Sequence, residues 1–322
     1  MGGIKLQECY RIVCFSFLSL CVLVVFSSCG NNRQSTKIPA FPQKISSDCR
    51  MIEHTLGETC VPINPNRVIA LDDCTLEPML ALNLQPVGAP VSNVNIPNQG
   101  DLSSIQDTGS PPNLETIFSL KPDLILGCAY SQDVYKQATQ IAPTIIAPIE
   151  SSADWKSVLF LVADTVGKTD KAEQLMTTYT KRIEALQSKL GKRINITKIS
   201  VIRIHPGHIS LYAKDVFIGT LLADVGLPRP KSQNRDIPAI DISKENIHDA
   251  DGDVIFVWVY GSNRQLLEAS EAALKKLQSD PLWQELDAVK FGKVYIVPEY
   301  WIGAGPLSAN AVIDDLFKYL VN

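Results

Sequence analysis

From Asn66 onward, apolar and polar positions fall into blocks that alternate between strand and helix periods. RVIALD is a short apolar run, and residues 75–82 after it carry a helical spacing. PVGAP predicts the next strand, LETIFSL a helix, and PDLILG a strand buried on both faces. A polar helix over residues 131–141 then leads to the strand PTIIAPI. After Trp155 the pattern changes to two helices in succession, SADWKSVLFLVADTVG and a longer one from about Thr169 to Leu190. Its apolar positions Ala172, Leu175, Met176, Tyr179, Ile183, Leu186 and Leu190 recur at spacings of three and four, and Gly191 stops it. At 1.5 Å per residue it would be about 33 Å long.

A second alternating series follows that helix. KISVIRI and a return strand HISLYA come first, then a helix over residues 217–225 ended by Gly226. AIDIS, a short helix near Lys244, DVIFVWVY, a helix over 264–277, DPLWQELDAV, the strand KVYIV and a closing helix over 308–320 complete the chain. Strands alternating with short helices imply βαβ units and largely parallel sheets. The fold class is therefore α/β, with two Rossmann-like lobes joined by one long bridging helix. Open α/β sheets bind ligands beyond the carboxyl ends of their strands, so two such lobes would enclose a cleft.

The first residues differ from the rest. Lys5 and Arg11 flank a polar start, and an apolar run extends from Ile12 to Phe26. This run is the length of a signal-peptide core and short of the roughly twenty residues a spanning helix needs. Ser27 and Ser28 precede Cys29, the layout of a bacterial lipoprotein signal, in which the cysteine sulfur takes a lipid. Phe26 departs from that pattern, where an aliphatic residue is usual. Ordinary secretion with a free Cys29, and an uncut membrane anchor, are the alternatives. Residues 30–48 are polar, with prolines and no period, and read as a tether. The boundaries are thus 1–28 signal, 29–48 tether, 49–168 first lobe, 169–191 bridging helix and 192–322 second lobe. The protein is expected outside the cytoplasm, in the periplasm or at the cell surface.

Charge narrows the partners. The chain has 30 basic and 34 acidic residues and no basic tract, which argues against nucleic acid. Of eight cysteines, three lie in the signal. Cys49 and Cys60 bracket two short strands around a turn near Gly57, so a cross-strand bridge is sterically reasonable in an exported chain, although sequence does not fix the register. Cys74 and Cys128 read as small buried side chains. Nothing here has zinc-site spacing, and no resident metal is expected.

Several motifs fail on inspection. VGKTD holds the Gly-Lys-Thr of a phosphate loop, but the first glycine would fall on Val162 and the segment lies between helices. DADGD, from Asp249, echoes a calcium loop whose glycine comes too early, and a solvated turn accounts for it better. His205 and His208 flank Pro-Gly in a hairpin turn, a weak candidate for a metal pair. There is no Gly-x-Ser-x-Gly elbow and no dinucleotide fingerprint. No catalytic set is assigned, which favours binding over chemistry.

CRMIEHTLGETCVPINPNRVIALD resembles the opening of bacterial iron–siderophore binding proteins, the class III periplasmic binding proteins of ABC importers. NLETIFSLKPDLILG, VIRIHPGHISLY, DVFIGTLLADVGLPRP, IDISKENIHDADGDVIFV and PLWQELDAVKFGKVYIV continue the resemblance in order across nearly the whole mature chain. It implies a monomeric binding protein that delivers a ferric siderophore to a permease dimer with a cytoplasmic ATPase. It places permease-docking carboxylates at Glu115 and Glu245, each also suited to the first turn of a helix. Tyr130 and Trp301 match positions that present aromatic rings to the cleft. Arg203, inside the apolar VIRI, is the anion-binding candidate, with an internal ion pair as its alternative. Arg235, Trp258, Tyr260 and Tyr212 follow, with the proviso that strand residues alternate faces. Trp155 and Trp283 read as packing residues. The arginines favour a citrate-hydroxamate siderophore or ferric citrate. Cobalamin or haem as cargo, and a siderophore esterase, are the competing readings.

Overall fold

The computed structural model describes residues 49–92, 96–98 and 100–321; the signal, Cys29 and the tether lie outside them. The described residues open with an antiparallel hairpin, β1 (Cys49–His54) and β2 (Gly57–Pro62), which turns at Gly57 with φ 128°. Cys49 and Cys60 are joined by a disulfide, with Cα atoms 5.5 Å apart.

The first lobe runs β3 (Val68–Ala70), α1 (Asp73–Ala81), β4 (Gly88–Ala89), β5 (Gln106–Asp107), α2 (Leu114–Ser119), β6 (Leu124–Cys128), α3 (Tyr135–Ala138) and β7 (Thr144–Ala147). Its five strands are all parallel, in the order β5-β4-β3-β6-β7. β6 and β7 are buried along their whole length, as their continuous apolar runs require. Two sequence expectations change here. PVGAP contributes only two strand residues, and the polar segment after β6 forms a 3-10 turn, Ala129–Val134, before the four-residue α3. β5 has no apolar pattern of its own: its residues are polar and it pairs only at a sheet edge.

α4 (Trp155–Thr165) and α5 (Thr169–Leu190) lead out of that lobe. The corner between them is the Gly-Lys-Thr segment, and Lys168 Nζ donates to the carbonyls of Leu82 and Asn83 at the end of α1. This lysine thus closes a helix C-terminus. α5 changes its packing partner along its length. Ala172 belongs to the first lobe's core, whereas Tyr179, Ile183, Leu186 and Leu190 belong to the second's.

The second lobe runs β8 (Ile199–Ile204), β9 (Ile209–Tyr212), α6 (Phe217–Val225), β10 (Ala239–Ile242), β11 (Val254–Val259), α7 (Arg264–Gln278), α8 (Pro281–Gln284), α9 (Asp287–Lys290), β12 (Val294–Ile296) and α10 (Pro306–Leu320). Its strand order is β10-β9-β8-β11-β12, with β9 antiparallel to both neighbours. Alternation sorts the strands' side chains. Val201, Phe256 and Trp258 face α5, α6 and α10, and Ile202, Ile204, Ile255 and Val257 face the opposite layer. Asp251 and Asp253 accept backbone N–H groups from Asp287 and Lys198, so DADGD fastens local backbone.

Two braces besides α5 tie the lobes. Near α4, Ser152 Oγ accepts the Phe217 N–H that opens α6, Trp155 Nε1 donates to Thr220, and Lys156 pairs with Asp224. On the other side Glu77, wholly buried in α1, accepts the N–H groups of Ala304 and Ser308 and the Ser308 hydroxyl at the start of α10. Burial pushes the Glu77 carboxyl pKa up, opposed by those three hydrogen bonds. No helix among the described residues is long and apolar enough to cross a membrane.

Candidate functional site

The parallel strands of both lobes end toward a shared cleft. A cavity of about 230 Å³ there is lined by Asp73, Tyr130 and Ile149 from the first lobe and by Tyr212, Ile302 and Gly303 from the second. A larger hollow of about 520 Å³ continues over the first lobe past Asp107, Pro111 and Ser131, sharing Asp73 and Tyr130.

The first lobe's wall is built around a pair of aspartates after β3. Asp72 turns inward and caps α1 by accepting from Thr75 N, and it also accepts the Cys128 N–H at 2.8 Å and the Ser131 hydroxyl at 2.7 Å. That network fixes the turn carrying Tyr130. Cys74 and Cys128, expected as separate small side chains, are joined in a second disulfide with Cα atoms 6.6 Å apart. The link ties the first turn of α1 to the end of β6, because parallel strands β3 and β6 bring those two ends together. Asp73 is exposed into the cleft without an ion-pair partner among the described residues. Its surroundings nevertheless exclude enough water to raise its carboxyl pKa. Tyr130 is 68% exposed. The cleft walls raise its phenol pKa, and the Asp73 and Asp72 carboxylates add to the effect.

The second lobe's wall is cationic and aromatic. In the register of β8 and β11, Arg203 lies opposite Trp258, and on β9 Ser210 lies opposite Arg203. Arg203, Trp258, Tyr260 and Tyr212 therefore share one face, where β8 and β11 run out from beneath their helices. The guanidinium carbon sits 4.0 Å from the Trp258 ring centroid and 4.3 Å from that of Tyr260. Its Nη1 donates to the Tyr212 hydroxyl at 3.1 Å. Its Nε is buried with no partner, and no carboxylate among the described residues lies within 4.0 Å of the group. The internal ion pair weighed for Arg203 is thus absent among those residues. Burial raises the Tyr212 phenol pKa, so the hydroxyl keeps its proton to donate while it accepts from Arg203. Glu299, partly exposed, completes this wall. Burial raises its pKa, Arg203 opposes that rise, and Asp73 across the cleft adds to it.

Other expected ligand residues fall elsewhere. Trp301 is wholly buried rather than facing the cleft: a 3-10 turn, Glu299–Ile302, rotates it inward. There it lies 4.3 Å from Phe256 and donates to Asp315. Ile302, the next residue, reaches the cavity instead. Trp258 is buried too and meets the site only through Arg203 and Tyr212. Arg235 is exposed, and it lines none of the cavities described here. Trp155 and Trp283 are core residues, Trp155 also edging the cavity. Asp73 and Glu299 were not singled out from sequence. The doubled aspartate after β3 was the available signal, since one capping residue leaves its neighbour free.

Glu115 and Glu245 occupy equivalent places. Each is exposed in the first turn of the helical segment that follows its lobe's edge strand, β5 or β10. Ser243 and the local backbone hold the Glu245 carboxyl below its ordinary pKa. His205 and His208 stack at 4.0 Å in the turn between β8 and β9, beside Lys244 and Glu245 around a hollow of about 310 Å³.

Known proteins share this layout. The family described as periplasmic binding protein matches residues 68–301. A Bacillus subtilis protein named "Probable siderophore-binding lipoprotein YfiY" is 34% identical over 323 residues, covering 95% of this chain and 97% of its own. The crystal structure of Staphylococcus aureus SirA complexed with staphyloferrin B is similar at a TM-score of 0.74 and 29% identity, covering 84% of this chain and 98% of that one. The Bacillus subtilis triscatecholate siderophore binding protein FeuA, complexed with ferri-bacillibactin, is similar at 0.72 and 26%, covering 84% and 97%. The chain belongs to the periplasmic binding protein family.

Proposed function

We propose that this protein captures a ferric siderophore outside the cytoplasm and passes it to an ABC importer, without chemical change to the ligand. The observation that carries this reading is Arg203. A half-buried guanidinium with no carboxylate among the described residues within ion-pair range, hydrogen-bonded to the cavity-lining Tyr212, is a cation left for a ligand to pair. A chelate whose iron is already wrapped by its own oxygens needs one cation, hydroxyl donors and shaped walls, and no metal ligand from the protein. Arg203, Tyr212 and Tyr130 supply that chemistry. The names of the relatives and of the similar structures point the same way. A siderophore with a citrate backbone suits the single guanidinium.

Glu115 and Glu245 form the permease face in this reading, one carboxylate per lobe, each apt for an arginine fork. Lipid attachment through Cys29 would hold the protein at the membrane, as the lipoprotein name of one relative suggests. The test is titration of intrinsic tryptophan fluorescence with ferric hydroxamates, ferric citrate, ferric catecholates, haem and cobalamin. Saturable, equimolar quenching by a ferric siderophore, with the intact ligand recovered afterwards, is expected. Quenching by cobalamin or haem alone would overturn the cargo, and recovery of a cleaved ligand would point to an esterase.

A further inference from the structure

Arg203 is one layer of a longer stack. His208 lies on His205 with ring centroids 4.0 Å apart and planes 15° from parallel. His205 lies 4.9 Å from Tyr260, Tyr260 lies 4.3 Å from the guanidinium carbon, and the Trp258 ring centroid lies 4.0 Å from that carbon. The order His208–His205–Tyr260–Arg203–Trp258 thus runs from the hairpin turn to the buried face of the sheet. Alternation builds it: Arg203 and His205 are two apart on β8 and its extension, Trp258 and Tyr260 two apart on β11, and the Tyr260 N–H donates to the Ile204 carbonyl, prolonging the pairing.

This arrangement constrains what Arg203 can recognise. A guanidinium has two faces and a rim of N–H donors in its plane. With two aromatic rings of the protein within 4.3 Å of its central carbon, stacking on the guanidinium is already taken up, and its rim is left for a ligand. One rim donor goes to Tyr212, whose own proton is free to donate. Resting on the functional reading above, we infer that Tyr260 and His205 are positioning residues that hold Arg203 edge-on, so that the cleft selects chelates presenting coplanar carboxylate oxygens. His205 suits a supporting role because burial holds its pKa down to about 4, with His208 and Arg203 adding to the effect, so the layer behind Tyr260 is uncharged near neutral pH. A second cation there would repel Arg203.

The test uses the mature protein and two ferric probes: a citrate-backboned dihydroxamate, which carries a carboxylate, and a neutral cyclic trihydroxamate. Affinity for each is measured by fluorescence titration, and the ratio of the two is the readout, because general loosening of the fold would weaken both alike. Tyr260→Ala is expected to reduce the preference for the carboxylate-bearing probe about tenfold, while Tyr260→Phe, which keeps the ring, leaves it unchanged. His205→Ala should give a smaller loss in the same direction. Arg203→Lys keeps the charge but lacks the planar fork, and should reduce the preference about as much as Tyr260→Ala. An unchanged ratio in Tyr260→Ala, or a preference fully retained by Arg203→Lys, overturns the inference. Wild-type binding of the trihydroxamate alone overturns it and leaves the functional reading standing. Binding of neither probe overturns the inference, and overturns the functional reading as well only when ferric citrate and the ferric catecholates also fail to bind.

Discussion

The two walls of the cleft come from two five-stranded sheets, one all parallel and one mixed, and carry opposite charge. The first lobe presents carboxylates, with Asp72 spent on fixing a turn and Asp73 left facing the cavity. The second presents a guanidinium between aromatic rings, with the buried-leaning Glu299 beside it. The difference follows from strand length. The first lobe's strands are two to five residues long, so its wall is made of turns and caps, where aspartate and serine belong. β8 and β11 are six residues each, long enough to carry an alternating face out from under the helices and deliver large side chains in register.

At the rims the lobes are alike, and the largest effect is expected there. Reversing charge at both sites, Glu115→Arg with Glu245→Arg, should abolish iron-chelate uptake by cells while the dissociation constant of the purified protein stays unchanged. Either single reversal should lower uptake less. A fall in ligand affinity would place these residues in the cleft and end the docking assignment. Within the cleft the walls should respond unequally. Arg203→Ala removes a charge-assisted contact and should weaken an anionic chelate about a hundredfold. Asp73→Asn removes a repelling carboxylate from a water-accessible wall and should tighten the same chelate by only about two- to fivefold. Equal losses from both substitutions would show that the walls bind the ligand in the same way.

The difference between the walls also depends on their being held at a fixed separation. Glu77 satisfies three donors at the head of α10, next to Gly303 and Ala304 of the cavity lining. Glu77→Ala would strand those buried donors and should cost about 3 kcal/mol of unfolding free energy, read as a lower denaturant midpoint at unchanged slope. A cost below about 0.5 kcal/mol would show that water replaces the carboxylate and that the brace carries no stability.

Much of the bridging helix and the second lobe could be read in advance because their elements are long and periodic. The spacing of α5 placed it within a residue of its observed limits, and VIRI marked Arg203 because a cation inside an apolar run needs a reason. The first lobe was less legible. β5 is two polar residues paired at an edge, and no period of two can be seen in a pair. Trp301 illustrates a further limit. Its position after β12 was readable, but a 3-10 turn advances each residue by a third of a rotation, so being near the cleft did not decide which way the ring faced. The Cys74–Cys128 link depends on parallel pairing of β3 with β6, a contact between segments with no local signature in either.

The smallest effect concerns the aromatic wall and pH. His205 is only partly exposed, and burial, then His208 and Arg203, lower its pKa from 6.5 to about 4, with Asp241 opposing. Ser210 shares Asp241 with this pair, through a hydrogen bond of 2.6 Å, and the Tyr260 ring lies 4.9 Å from that of His205, tilted by 31°. The native state therefore binds fewer protons at His205 than the unfolded chain does between those two values. Stability must then fall as pH drops from about 6.5 toward 4, and the term is absent above that window. Asp73 on the acidic wall and Glu77 behind it contribute with the opposite sign, since their raised carboxyl pKa values favour the native state as they protonate, while Asp107, whose pKa is lowered, shares the sign only below its ordinary carboxylate range. Replacing His205 by Gln removes the histidine term alone. Melting temperatures of wild type and His205→Gln should agree to within their ordinary substitution offset at pH 7.5 and separate toward pH 4.5, the variant falling less, by about 2–4 °C. Parallel curves across that range would mean that the His205 ring is solvated enough to protonate in place, and that the stack does not hold it neutral.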